Sequence, residues 1–66
     1  MAVMKVIEVL SESKKSYEDA ISKAVVKASE SIKNIKSAYV NEQSAVVKNG
    51  KVSAYRVNLK ITFQVD

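Results

Sequence analysis

The sequence predicts an α+β fold with the element order β-α-β-β, in which a three-stranded antiparallel sheet, strand order 1-3-2, wraps one helix. Three features predict it. Residues Val3 to Leu10 are mostly apolar, rich in Val and Ile, and too short for a solitary helix. From Tyr17 onward, apolar residues recur at spacings of three and four. Two alternating runs then follow, joined at Asn49-Gly50.

The first strand presents Val3, Lys5, Ile7 and Val9 on one face and Met4, Val6, Glu8 and Leu10 on the other. Its polar continuation, Ser11 to Ser16, ends in helix-start signals. Ser13 or Ser16 can accept from a free N–H of the first turn, and Ser16 with Asp19 resembles a capping box. Glu18 and Asp19 suit the positive end of the helix dipole. The apolar stripe is Tyr17, Ala20, Ile21, Ala24, Val25, Ala28, Ile32 and Ile35, with Lys23, Lys27, Glu30 and Lys33 off it. A helix carrying all of it has about 22 residues and covers ~33 Å.

The second and third strands are expected at Ser37 to Val47 and Lys51 to Val65. Asn49 and Gly50 both tolerate the positive φ of a type I′ turn. The last strand places Tyr55, Val57, Leu59, Ile61, Phe63 and Val65 on one face and Arg56, Asn58, Lys60, Thr62 and Gln64 on the other. Its apolar face must cover the helix stripe. In an antiparallel sheet the first and second strands run the same way, so the third lies between them. A strand of this length spans about 46 Å, so the hairpin overhangs its helix. Apolar residues and unpaired edges are left for neighbouring copies to cover.

Sixty-six residues are expected to form one domain, residues 1–66. A domain of that size buries only about 60% of its unfolded surface and usually needs disulfides, a metal or association. Cys and His are both absent, which excludes disulfides and disfavours a zinc-type site. Association into a homo-oligomer is what remains. The same absences remove thiolate nucleophiles, imidazole bases and Ser-His pairs, and the acidic residues are scattered. The expectation is a binding or storage protein, not an enzyme. The formal charge of +4 bears on partners and solubility rather than on fold. No stretch reaches the ~18 apolar residues of a membrane span, and Lys5 and Glu8 interrupt any signal-like run. Cytoplasm is the expected compartment.

With Asn49 and Gly50 at the turn, an unbroken register pairs Lys48 with Lys51, Gln43 with Arg56, Asn41 with Asn58 and Tyr39 with Lys60. The sheet face away from the helix then carries Ser37, Tyr39, Asn41, Gln43, Arg56, Asn58, Lys60, Thr62 and Gln64. This amide-rich, cationic face with one aromatic ring suits a flat or anionic ligand or a polar interface. Glu42 and Ser44 fall on the helix side, beside Val40 and Leu59, where a lone carboxylate would be costly. The hairpin is expected to have outrun the helix there; a bulge, or a cation across a subunit boundary, are the alternatives. Lys14, Lys15, Lys23, Lys27, Lys33 and Lys36 are expected to form a solvated surface. Single-stranded nucleic acid needs several aromatic platforms, and this face offers only Tyr39, so nucleic acid is not an expected partner.

The stretches VIEVLSESKKSYEDAISKAVVKAS, IKNIKSAYVNEQ and YRVNLKITFQV, in that order, resemble the dodecins over nearly the whole chain. The most specific parts are the helix start with Ser13, Ser16, Glu18 and Ala20, and Tyr55, Val57 and Phe63 of the last strand. The resemblance implies a hollow dodecamer that binds small molecules. Many dodecins hold flavins (riboflavin, FMN) as stacked pairs at subunit contacts; some bacterial relatives hold coenzyme A, and one branch is associated with calcium. By the resemblance the candidate ligand residues are Ser37, Tyr39, Arg56, Gln43 and Lys60. Two departures weigh against flavin. Ser37 stands where flavin-binding dodecins have a stacking tryptophan, and Arg56 where they have a glutamine that hydrogen-bonds the ring edge. Loss of an aromatic pair worth roughly 0.5–1.5 kcal/mol on each side of a stack lowers affinity about tenfold or more. A calcium ion would need several oxygen donors, recruited from Glu42, Asp66 or Glu8 of several subunits.

Overall fold

The computed structural model describes residues 2–65. Four elements follow the expected order: β1 (Val3–Ser13), α1 (Tyr17–Ser29), β2 (Ile35–Lys48) and β3 (Lys51–Val65). The three strands form one antiparallel sheet in the order β1-β3-β2, as the sequence predicts.

The start of α1 is set by two serines with different roles. Ser16 is the N-cap, and its hydroxyl accepts from the Asp19 N–H at 3.0 Å. Ser13 is buried; its hydroxyl donates to the Asp19 carboxylate and accepts from the Lys15 N–H at 2.9 Å. The Ser13 hydrogen bond, with Lys23 at 3.1 Å, holds the Asp19 carboxyl below its usual range. The end of β1 and the start of the helix are thus fastened together by one carboxylate.

The helix is shorter than the apolar stripe suggests, 13 residues rather than about 22. Beyond Ser29 the Glu30 and Ser31 N–H groups turn to carbonyls three residues back, Lys27 and Ala28. The Ser29 hydroxyl donates to the Val25 carbonyl at 2.7 Å, the local competition with the backbone that weakens serine in helices. Asn34 then adopts φ 63° and redirects the chain into β2, which begins at Ile35. Ile32 and Ile35 keep the helical spacing in sequence, but Ile35 enters the core from a strand.

Ala20, Ala24, Val57, Leu59 and Ile61 form the buried core, flanked by Ile7, Val9, Tyr17, Ile21, Ala28, Ile35, Ala38 and Val40. Two alanines at the helix centre let α1 lie close against the large aliphatic residues of β3. Tyr17 and Tyr55 close one end edge to face, with ring centroids 5.1 Å apart.

The hairpin turn is as expected, with positive φ at Asn49 (51°) and Gly50 (75°). Its register is not unbroken. Val47 faces Val52 but Val46 faces Ala54, so Ser53 is an extra residue in β3. Val40 faces Leu59 but Glu42 faces Asn58, so Asn41 is an extra residue in β2. The second bulge undoes the first, and Tyr39 faces Lys60 as the turn alone would dictate. Between the bulges the pairing is shifted by one: Gln43 faces Val57 and Ser44 faces Arg56. The expected pairs Gln43–Arg56 and Asn41–Asn58 are therefore not formed. Cross-strand partners share a face, so Glu42 and Ser44 lie on the face away from the helix and Gln43 lies on the helix side. The bulge, not an overhang, spares Glu42 from burial.

The hairpin does overhang. The molecule is 51 Å long, against ~20 Å for a 13-residue helix. Val47 and Val52 near the turn are 62% and 52% exposed.

Candidate functional site

The face of the sheet away from the helix is built in rows across β1, β3 and β2. Val6, Thr62 and Ser37 form one row; Glu8, Lys60 and Tyr39 the next; then Leu10, Asn58 and Glu42; then Glu12, Arg56 and Ser44. Leu10 is 70% and Tyr39 66% exposed. Lone exposed side chains need no explanation, but here they stand among charged and amide groups on one flat surface.

Of the candidate ligand residues, Ser37, Tyr39 and Lys60 come together, Tyr39 directly opposite Lys60 and Ser37 in the adjoining row. Arg56 is on the same face but four residues from Lys60 along β3, about 13 Å away. It is also engaged: its Nε and Nη2 both donate to Glu12 Oε1, at 3.1 and 2.9 Å. Glu12 therefore offsets its charge and competes with an anion for it. Gln43 drops out of the group, because the Asn41 bulge turns it to the helix side.

One residue of this face, Glu12, escapes the sequence reading, and the state of another, Asn58, is not legible in it. Glu12 was missed because the Val/Ile-rich pattern ends at Leu10, whereas β1 pairs as far as Ser13. Asn58 was placed on the correct face, but its state was not visible. Its Oδ1 is shielded from solvent and has no hydrogen-bond partner. A buried carbonyl without a partner costs on the order of 1–3 kcal/mol.

Calcium takes hard oxygen donors, and the face carries few of them. Glu42, exposed and opposite Asn58, supplies a carboxylate, whereas the Asn58 amide oxygen is shielded. Glu8 lies in another row on the far side of β3, and Asp66 falls outside the described residues. Among the described residues no group of three acidic side chains is assembled within one chain. The described residues of one chain do not by themselves make up a calcium site.

A second surface lies between β1 and α1. It is a groove of about 740 Å³ lined by Ile7, Val9, Leu10, Ala24, Val26 and Ile32 among others. Both this groove and the outer face adjoin the free edge of β1. Among the described residues no helix is long and apolar enough to cross a membrane.

A helix cradled by a three-stranded sheet, with a mixed polar face turned outward, defines a small α+β binding protein. The comparisons make the family plain. The dodecin sequence profile matches residues 3–66, and the chain belongs to the dodecin family. The calcium dodecin of Mycobacterium tuberculosis is 35% identical over 65 residues, covering 98% of this chain and 92% of the relative. The crystal structure of that calcium dodecin, described as having a novel calcium-binding site, gives a TM-score of 0.85 at 34% identity, covering 97% of this chain and 91% of that one. Dodecin from Streptomyces coelicolor gives 0.93 at 25% identity, covering 98% and 93%. Dodecin from Streptomyces davaonensis shares the fold, with a TM-score of 0.92 at 22% identity, covering 98% and 96%.

Proposed function

We propose that this chain assembles as a dodecin shell, a homododecamer, that binds and stores a small ligand at its subunit contacts, and that calcium is the ligand it is best suited to hold. The observation that carries this is the make-up of the outer sheet face. It carries exposed carboxylates, Glu8 and Glu42, but a single aromatic ring, Tyr39. A stacked flavin pair needs more π surface than that, and Ser37 supplies none. The likeness to a calcium dodecin over nearly the whole chain points the same way. Calcium would be held by carboxylate and carbonyl oxygens from several copies and would bind those copies together.

A second reading rests on the opposed Tyr39 and Lys60. A ring beside an ammonium suits a nucleotide-type anion, so coenzyme A or a flavin phosphate is the alternative cargo. In either case the role is binding, since no nucleophile–base pair is available.

The test is a calorimetric titration of the purified particle, its mass first measured against twelve times the 7.3 kDa subunit, with calcium, coenzyme A and FMN in turn. Heat with calcium and undiminished FMN fluorescence is the expected result. Quenching of FMN with no calcium heat overturns the calcium reading, and heat with coenzyme A alone favours the second.

A further inference from the structure

We infer that the tip of the β2–β3 hairpin of one copy seats in the groove between β1 and α1 of the next, with Val47 and Val52 toward the groove and Lys48 and Lys51 along the outer face of β1. This rests on the assembled particle proposed above and assigns one of its contacts.

Three observations lead there. First, β1 is a border that its own chain leaves unfinished. It pairs on one side only, with β3, so along eleven residues its other side has no strand partner. Val3, Met4, Val6 and Leu10 of this strand are all exposed. An edge so long and apolar needs a cover. The groove beside it is apolar too, and its rims, Leu10 on β1 and Val26 on α1, are both exposed.

Second, the chain carries a piece whose two sides match the two sides of that border. Val47 faces Val52 near the hairpin tip, and Lys48 faces Lys51 one step further out. Alternation from Ser44 along β2 puts the valines on the helix side and the lysines on the outer side. At β1 the apolar groove is likewise on the helix side, and Glu8 stands on the outer face. Like charges directly opposite one another are destabilising, and neither Lys48 nor Lys51 has an ion-pair partner among the described residues. Glu8 has none there either. A tip laid along the edge of β1, sheet continuing into sheet, buries the valines in the groove and brings the lysines to that carboxylate.

Third, the groove is out of reach of its own chain's tip. The Tyr17–Tyr55 ring pair marks where the helix starts against β3. From there α1 runs ~14 Å to Val26, away from the turn, while Val52 lies ~10 Å toward the turn. The occupant is therefore a second copy. Tip and groove are different surfaces, so the contact is head to tail: each copy gives its tip to one neighbour and its groove to another.

The chain contains no cysteine, so introduced thiols report this contact cleanly. The full-length particle is prepared as Val26→Cys, as Val52→Cys and as the double variant, its mass is checked by light scattering, and it is treated with a short bismaleimide before a denaturing gel. The double variant is expected to give bands of two, three and more chains, because every copy is linked at both its tip and its groove. Each single variant should stay a single chain. In addition, Val52→Asp should raise the concentration at which half the chains are assembled by tenfold or more, since a buried valine is worth about that in association.

An assembled double variant that does not cross-link overturns the contact and leaves the particle intact. Val52→Cys cross-linking alone as completely as the double variant shows that tips meet tips, and overturns it as well. Native-like assembly of Val52→Asp does the same. A native protein that remains a single chain overturns both the contact and the particle.

Discussion

Replacing Leu59 by Ala is the sharpest test of where this fold keeps its stability. Leu59 is fully buried on the central strand, with Val9 of β1 on one side and Val40 of β2 on the other. Above it lie Ala20 and Ala24, the two buried residues of the helix. Leu→Ala substitutions in cores cost 2–5 kcal/mol, more where the surroundings cannot relax into the void. Alanines have no side chain to swing inward, and neighbouring strands are fixed by their ladder. The loss expected here is therefore about 3–4 kcal/mol. A chain of this length commands only about 3–10 kcal/mol in all, so the variant should be close to unfolding unless association supports it. Urea unfolding at several protein concentrations reads both effects. Assembled copies gain stability by mass action, so the midpoint should rise with concentration. At any one concentration the variant's midpoint should fall by roughly 3 M for an m-value near 1 kcal/mol/M. A loss under about 1 kcal/mol, or a midpoint indifferent to dilution, would refute the idea that a minimal core is completed by other copies.

Three further outcomes are expected. Ser16→Ala removes the hydroxyl that caps the Asp19 N–H and should cost about 1 kcal/mol of stability by the same urea assay. Gly50→Ala places a side chain at φ 75°; nothing nearby obstructs the methyl group, so the cost is backbone strain alone, about 1 kcal/mol. Asp19 has a depressed carboxyl pKa in the folded chain, first through the Ser13 hydroxyl and then through Lys23. A depressed value means that the stabilisation is present above the ordinary value of 3.8 and is lost as pH falls below it. Acid titration of Tm should therefore steepen below that pH in the native protein and be flatter in Asp19→Asn.

What could be read from residue order was whatever repeats over a few positions. The strict alternation from Tyr55 to Val65 named the core face of β3, Asn49-Gly50 named the turn, and strand direction alone placed β3 in the middle. Ser16 and Asp19 marked the helix start because capping is settled within one turn of chain. The end of the helix was misjudged because Ile32 and Ile35 keep the period after the backbone has left it; Asn34 adopts positive φ, and no apolar pattern records that.

The outer face shows the boundary most clearly. Alternation assigned Tyr39 and Lys60 to it correctly, since the Ser53 and Asn41 bulges cancel before that row and the third shift, between Ile35 and Ser37, lies beyond it. It misplaced Gln43 and Glu42, which lie between the bulges, because a pattern of period two cannot say which strand carries the extra residue. That choice, like the Glu12–Arg56 pair and the shielded oxygen of Asn58, depends on side chains distant in sequence settling against one another in three strands at once. Periodicity is a property of neighbours along the chain, and it fixed the elements and their order. Register and burial are properties of the packed sheet, and they decided which oxygens and charges stand side by side.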